Sequence, residues 1–361
     1  MNRRPFLALT LILALLLALA PGALASPDYA YLEVREPWLT VGREARIALV
    51  TPGVSGLRVS FELYYTPGRD RGNTMLGVGR QEESPDTAYA FTPGHPGLYK
   101  VKALVTLPGQ APLSVESGIL YAYDAQDEQR SGTVPERVRA MVNKARAQAG
   151  GDDYALALYL HDYLTMNADY DTSLSRTDPD GVLLEGSGVC DSYSLAYQML
   201  LKEAGIPTVY VTGTSKGENH SWNLLQLGGE WTYVDVTWDD PVGGGMEGYQ
   251  YFGLTSEELR ADHDWSQGIN LPPQATTRRY NHLDNTGWLP FDSAESLYRE
   301  LASQLNQKSA QVRLVYRGAD AAFDAYNLAY GWLQEHIADY GVASVSISGS
   351  ERALTLDLTY H

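Results

Sequence analysis

The sequence predicts a multidomain α+β protein: an all-β sandwich, a helix-then-strand core and a small α/β unit. Three observations carry this. Residues 26–123 alternate strand-like runs with Pro/Gly turns. Residues 134–282 place helices first and strands afterwards. Residues 283–361 mix helical stretches with strands and end in a hairpin pattern. At 361 residues, 44% hydrophobic and 20% charged, the chain is too long for one ordinary domain and too apolar for disorder. Gly 34 and Pro 18 are near ordinary usage, which excludes collagen-like and low-complexity scaffolds.

Residues 1–25 read as a signal peptide. Arg3 and Arg4 give a positive start, and Leu7–Ala20 is apolar apart from Thr10. Pro21-Gly22 breaks that run, and Ala23-Leu24-Ala25 has the small-x-small form that a signal peptidase accepts. The run falls short of the roughly 20 residues of a bilayer-spanning helix. The expectation is an exported, secreted or cell-surface chain with no membrane span after cleavage. A single cysteine forbids an intrachain disulfide and excludes the disulfide-rich secreted class. A net charge of −17 argues against nucleic-acid binding.

In residues 26–123, Leu57–Tyr65, Gly97–Leu107 and Ser114–Tyr123 are strand runs rich in Tyr, Val and Leu. The passage from Phe91-Thr92-Pro93-Gly94 into Gly97-Leu98-Tyr99-Lys100-Val101 loosely resembles the closing strands of bacterial immunoglobulin-like domains. That resemblance implies an immunoglobulin-like sandwich, serving as spacer or binding module. Residues 124–133 are polar and read as a linker.

The core opens with Thr133-x-x-Glu136 and Pro135, a helix-start signal. That helix stops at Gly150-Gly151. A second starts near Asp152 or Asp153, and a third spans Val189–Ala204, ended by Gly205 and Pro207. Strands follow at Thr208–Thr212, Ser221–Leu227 and Trp231–Trp238. In the last unit, Ser293–Gln307 and Asp320–Tyr340 read as helices. Gln311–Tyr316 reads as a strand, and Val342–Ile347 with Leu354–Tyr360 as a hairpin turning at Ser348-Gly349-Ser350.

Cys190 stands in the first turn of the third helix. Unpaired N–H groups and the positive helix end there favour thiolate, the nucleophilic form of a thiol whose ordinary pKa is about 8.5. Position alone leaves open an inert, buried cysteine. The hairpin around Gly228-Gly229 adds to this. If the two glycines form the loop, Leu227 faces Glu230 and Trp222 faces Asp235. Then His220, Trp222, Asp235 and Thr237 share one face, with Thr237 opposite His220. His220 and Asp235 become diagonal neighbours, so the carboxylate can hold one ring nitrogen and present the other to the thiol. A one-residue slip would separate them. An acid between Val234 and Val236 needs a partner if buried, and His220 supplies one.

These residues resemble a known family. Gly188-Val189-Cys190 with Tyr193, then His220-Ser221-Trp222-Asn223, then Trp231-x-Tyr233-Val234-Asp235-x-Thr237-Trp238-Asp239-Asp240-Pro241, are similar to the transglutaminase-like superfamily. They look like its bacterial branch, often labelled as cysteine proteases. The resemblance covers about residues 134–282 and implies a papain-like/transglutaminase-like core. It implies Cys190 as nucleophile, His220 as general base and acid, and Asp235 as the group orienting His220. Ser192 stands where relatives often carry glycine. Asp191 directly follows the nucleophile and is expected to face solvent.

The implied chemistry is acyl transfer through a thioester, with the Cys190 N–H as one oxyanion donor. Three functions follow: a secreted cysteine peptidase or amidase acting by hydrolysis, a protein-crosslinking transglutaminase, and a surface binding protein that keeps the fold without catalysis. The expected partner is a protein or peptide substrate, associated with the cell wall if the chain acts there. Trp222, Tyr170 and Trp238 are candidate substrate-binding residues, each with a packing role as the alternative. No cofactor is expected. Asp169, Asp171, Asp178 and Asp180 lack calcium-loop spacing, and Asp262-His263-Asp264 reads as a loop without metal-ligand spacing, so no metal is expected. Asp239-Asp240-Pro241 with Gly243-Gly244-Gly245 reads as a loop at the rim of the site.

Overall fold

The computed structural model describes residues 27–68, 74–240, 248–318, 320, 322–349 and 352–361. Residues 1–25, expected from the sequence to be a leader, lie outside them. So do residues 241–247, which hold the glycine stretch of the rim loop.

The first strands are β1 (Tyr31–Val34), β2 (Leu39–Thr40), β3 (Ala45–Val50), β4 (Arg58–Pro67), β5 (Leu76–Ser84), β6 (Ala88–Phe91), β7 (Gly97–Thr106), β8 (Leu113–Glu116) and β9 (Leu120–Tyr123). They form a three-stranded sheet, β1-β3-β6, and a six-stranded sheet ordered β2-β9-β7-β4-β5 with β8 beside β7. Alternate residues of β3, β4 and β7 point inward, as period-2 patterning dictates. Ile47, Val59, Phe61, Val101 and Ala103 meet in one fully buried core between the sheets. The expected run Ser114–Tyr123 is broken into β8 and β9. Ser117 Oγ accepts from Val101 N at 3.0 Å and donates to Gly118 O at 2.8 Å, which turns the chain there. Gly118 takes φ +72, and a Cβ on it would lie 3.2 Å from the Tyr210 ring. The break therefore lets this sheet press against the next part of the chain.

Helices α1 (Val134–Ala149) and α2 (Asp153–Asn167) begin where their caps direct. Thr133 accepts from Glu136 N, and Asp152 accepts from Ala155 N. A short parallel pair, β10 (Asp169–Tyr170) and β11 (Ser187–Gly188), leads into α3 (Cys190–Ala204), which Gly205 ends in the left-handed conformation. The sheet that follows contains β12 (Thr208–Ser215), β13 (Glu218–Leu227), β14 (Glu230–Val234), β15 (Phe252–Leu254) and β16 (His263–Asp264), in the order β15-β14-β13-β12-β16. Short helices α4 (Ser256–Leu259) and α5 (His282–Asn285) flank it. Val142, Leu160, Tyr193, Tyr197 and Leu225 bind the three long helices to the sheet in one core. The hairpin has the expected register, from Leu227↔Glu230 to Asn223↔Val234. However, β14 stops at Val234 and does not continue to Trp238. Asp235 Oδ1 accepts from Thr237 N at 3.0 Å and Trp238 N at 3.2 Å, so its side chain replaces the ladder with a turn.

The last unit comprises β17 (Leu289–Phe291), α6 (Ala294–Asn306), β18 (Gln311–Tyr316), α7 (Ala325–His336), β19 (Val342–Gly349) and β20 (Ala353–Tyr360). Its sheet runs β17-β18-β20-β19, with Leu297, Leu301, Ala329, Leu333, Leu354 and Leu356 between sheet and helices. The helix expected over Asp320–Tyr340 is shorter. Asp324 caps α7 by accepting from Asn327 N, and Ile337–Tyr340 tightens into a 3₁₀ turn. β19 and β20 form the expected hairpin, but Ser348 and Gly349, read from the sequence as turn, pair with Thr355 and Leu354; Ser350 lies outside the described residues. Among the described residues no helix is long and apolar enough to cross a membrane.

Candidate active site

Cys190 is the first residue of α3, and the preceding Val189 is extended and makes no side-chain cap. The helix N-terminus is thus left open at the thiol. The approach is narrow. A Cβ on Gly188 would lie 2.4 Å from Ser192 Oγ, closer than atoms tolerate. Ser192 is fully buried, donates to Asp178 O at 2.5 Å and accepts from Val182 N at 3.2 Å. It ties the loop before the nucleophile to the helix that bears it. Asp191 does not simply face solvent, as was expected. It is half-buried, and Tyr210 OH donates to its Oδ1 at 2.5 Å, so the strand beneath the helix holds its carboxylate.

His220 lies on β13 opposite Gly213 of β12. Its strand is fixed under α3 by Ser194 Oγ donating to Ser221 O at 2.8 Å and Asn223 Nδ2 donating to Ser194 O at 3.0 Å. Asp235 stands beyond the last ladder pair, yet its Oδ2 is 2.7 Å from His220 Nε2. Burial opposes charge on His220. The adjacent Asp235 carboxylate, together with the Cys190 thiol hydrogen-bonded to His220, outweighs it and raises the ring to about 10. Burial likewise opposes charge on Asp235, but His220 and His263 hold its carboxyl well below the usual range. Thr237 is not opposite His220; it sits in the turn and donates its N–H to Asp235.

His263 also belongs to the site, although Asp262-His263-Asp264 reads from the sequence as a loop. It lies on β16, paired with Ser215, and is 3% exposed. Its Nε2 is 3.0 Å from the same Asp235 Oδ2, and its Nδ1 is 2.6 Å from Asp262 Oδ1. A Cβ on Gly213 would lie 2.0 Å from Asp264 O, so glycine there is what lets β16 approach. A strand this short has no periodicity to read; only the Asp-His-Asp string signals it. The donor atoms of His220, Asp235 and His263 lie within 4.8 Å of one another, close enough for a small cation. Two ring nitrogens already converge on one carboxylate oxygen at hydrogen-bonding distance, an arrangement that needs protons on both. A metal would have to displace them. Asp171 is likewise engaged locally, accepting from Ser173, Ser175 and Arg176.

A second buried pair stands behind the first. His161 of α2 places Nε2 3.2 Å from Asp239 Oδ2 and Nδ1 3.0 Å from Asp162 Oδ1, with no side-chain exposure of His161 or Asp239. Asp239 Oδ1 also accepts from Tyr251 N, and Tyr193 OH donates to Asp240. Burial raises both Asp239 and Asp240 to about 6. Together they clamp the turn that carries Asp235. The signal for His161 was a histidine on the apolar face of α2, in step with Ala157 and Leu164.

The three aromatic candidates separate. Trp222 is fully buried, stacked behind His220 at 5.9 Å and edge-on to His263 at 4.8 Å, so it backs the site and does not line it. Trp238 is 39% exposed, 5.7 Å from the His220 ring, with Lys216 Nζ 3.7 Å from its own ring centre. Tyr170 is half-buried and close to Cys190; burial, then the charges of Cys190, Asp171 and Asp235, raise its phenol. A cleft of about 480 Å³ opens beside Cys190 and His220. Tyr210, Thr212 and Asn219 line it, together with Lys100 and Glu116 of the N-terminal sheet and Ile119 from the connection between β8 and β9.

Residues 140–236 match the family model of the transglutaminase-like superfamily. The core of this chain is transglutaminase-like. The match contains Cys190, His220 and Asp235, and it ends before His263. Among solved structures, one described as a TGase is similar at 15% identity and TM-score 0.26, covering 30% of this chain and 32% of that one. A candidate cysteine protease from Cytophaga hutchinsonii is similar at 14% identity and TM-score 0.25, covering 59% and 72%. Red sea bream transglutaminase is similar at 10% identity and TM-score 0.22, covering 56% and 49%. The chain thus spans about a third of the first and half of the last. No curated protein matches it.

Proposed function

We propose that this chain is an exported, thiol-dependent acyl-transfer enzyme that hydrolyses protein or peptide amides. The observation that carries this reading is the 2.7 Å contact of His220 Nε2 with Asp235 Oδ2 at the cleft where Cys190 opens α3. Cys190 Sγ attacks the amide carbonyl carbon. The C–S bond forms as the C–N bond breaks, and the His220 proton passes to the leaving amine. Water, giving its proton to His220, then attacks the thioester and releases the acid and the thiolate. Asp235 keeps His220 in the tautomer and orientation that serve both steps. The Cys190 N–H donates to the oxyanion.

Polar groups along the cleft, Thr212, Thr214, Asn219 and Gln267, support water as the acceptor. Tyr170 and Trp238 border the substrate, while Trp222 supports His220 from behind. In this reading residues 1–25 direct export, 26–123 form an immunoglobulin-like sandwich, 124–133 a linker, 134–282 the catalytic domain and 283–361 a small α/β unit.

The test is amine release from peptide amides by the mature protein, with and without an added primary amine. Hydrolysis releases acid and is abolished by Cys190→Ser. Incorporation of the added amine as the main product would favour crosslinking. A native thiol silent to alkylation would leave the binding-protein reading.

A further inference from the structure

The Cys190, His220 and Asp235 arrangement does not end at Asp235. Asp235 Oδ2 receives His220 Nε2 at 2.7 Å and His263 Nε2 at 3.0 Å. The other nitrogen of His263 meets Asp262 Oδ1 at 2.6 Å. His263 therefore has a carboxylate oxygen on each ring nitrogen. A neutral imidazole would aim a lone pair at one of them; only the imidazolium donates to both. His220 differs, because one of its nitrogens faces a carboxylate and its ring also bonds the thiol.

We propose that His263 is a positioning residue: a buried, permanent cation that shares Asp235 with His220 and limits how tightly Asp235 holds the His220 proton. The inference rests on the catalytic reading above. His220 must surrender its proton to the leaving amine. A carboxylate paired with His220 alone, in a site this buried, would hold that proton strongly. A second cation on the same oxygen takes up part of the negative charge. Burial opposes charge on His263, but Asp235 and Asp262 outweigh it and raise the ring above its ordinary value.

Other charged and titratable groups also face this pair. Cys190 of α3 hydrogen-bonds His220, and Tyr170 of β10 lies near enough to interact with both Cys190 and Asp235. Asp239 lies in the turn after β14, and Tyr251 donates to Asp262 at 2.6 Å. Lys216 reaches over Trp238 from the turn between β12 and β13. Arg352 of the last unit is 3.5 Å from Asp262 Oδ2, so the C-terminal unit also touches the network. Among these, His263 is the cation in direct contact with Asp235 besides His220.

The experiment follows the histidine ring signals of the full mature chain by NMR across pH, together with alkylation of Cys190 by iodoacetamide. In the wild type, His263 is expected to show imidazolium signals throughout pH 5 to 8. In His263→Gln, the His220 midpoint is expected to rise by about one pH unit or more, the size of losing one buried charge a few ångströms away. The alkaline limb of amide hydrolysis should rise with it. Asp262→Asn keeps the ring in place and should let His263 lose its proton within that range, moving His220 the same way. Exposing the His220 ring would also ease the burial that opposes its charge, so the shift is read only in variants whose circular dichroism and amide exchange match the wild type. Neutral His263 signals in the wild type at pH 7 overturn the proposal even if both variants misfold. A folded His263→Gln with an unmoved His220 midpoint, while native Cys190 still alkylates, overturns this inference alone. If native Cys190 does not alkylate, both readings fall.

Discussion

Asp235 sits just past the last paired position of β14, and its Oδ2 still lies 2.7 Å from Nε2 of His220 on β13. The two oxygens of Asp235 divide the work. Oδ1 accepts Thr237 N and Trp238 N and closes the turn, while Oδ2 receives the histidines. One residue ends the strand and fixes the ring.

The proposed roles predict a graded loss. His220→Ala should slow amide hydrolysis by about 10²–10⁴-fold, the usual worth of a positioned acid–base group. Cys190 alkylation near neutral pH should slow as well. Asp235→Asn should lower kcat more than it raises KM, because it leaves the cleft walls intact and misdirects the ring. Steady-state rates on one peptide amide, read alongside circular dichroism, check this. An Asp235→Asn enzyme with wild-type kcat would remove Asp235 from the mechanism.

Stability should depend on pH from two directions. Asp235 is held below its ordinary range, so its contribution is complete above about pH 4, the unfolded value, and is lost as pH falls through the folded one. His220 is raised to about 10, so its contribution is complete below about pH 6.5 and is lost as pH rises toward 10. The gap in unfolding free energy between wild type and Asp235→Asn should therefore be widest at about pH 4–6.5 and narrow above it. Urea unfolding at several pH values measures the gap. A gap that grows from pH 7 to 10 would contradict the assignment.

His161→Phe should be among the most damaging changes outside the cleft. The ring is fully buried between Asp162 and Asp239, 5.2 Å from Phe252. Phenylalanine keeps the volume but leaves the Asp239 carboxylate buried without its histidine. Breaking such a pair from one side costs about 3–5 kcal/mol. The chemical-denaturation midpoint reports it. Asp239→Asn with His161→Phe should recover part of the loss, because the orphaned charge is then gone.

The sequence made the scaffold legible where local chemistry decides it. Thr133, Asp152 and Gly205 bound the three long helices, and Gly228-Gly229 set the hairpin register that joins His220 to Asp235. It misled where a side chain competes with the backbone. Val234-Asp235-Val236 alternates like a strand, yet the Asp235 side chain takes the next two N–H groups and ends it. His263 was hidden for another reason. Its strand pairs only Thr214 and Ser215, and its partner Asp235 is distant in sequence, so no local pattern joins them. His161 is concealed by the apolar face it shares.

The closeness of β11 to α3 gives the last prediction. A methyl on Gly188 would stand 2.5 Å from Ser192 Cβ and 2.9 Å from Val182 Cγ1. Neither contact involves the far end of a flexible chain, so the helix start must shift. Overpacking of this kind costs about 1–3 kcal/mol. Because the displaced Ser192 is only two residues from Cys190 in the same first turn, Gly188→Ala should also slow Cys190 alkylation. Ser192→Gly added to it removes the nearer clash, at the expense of the bonds to Asp178 and Val182. The double variant should label faster than Gly188→Ala, and slower than wild type. Equal labelling in the single and double variants would show that Gly188 does not set the position of the thiol through Ser192.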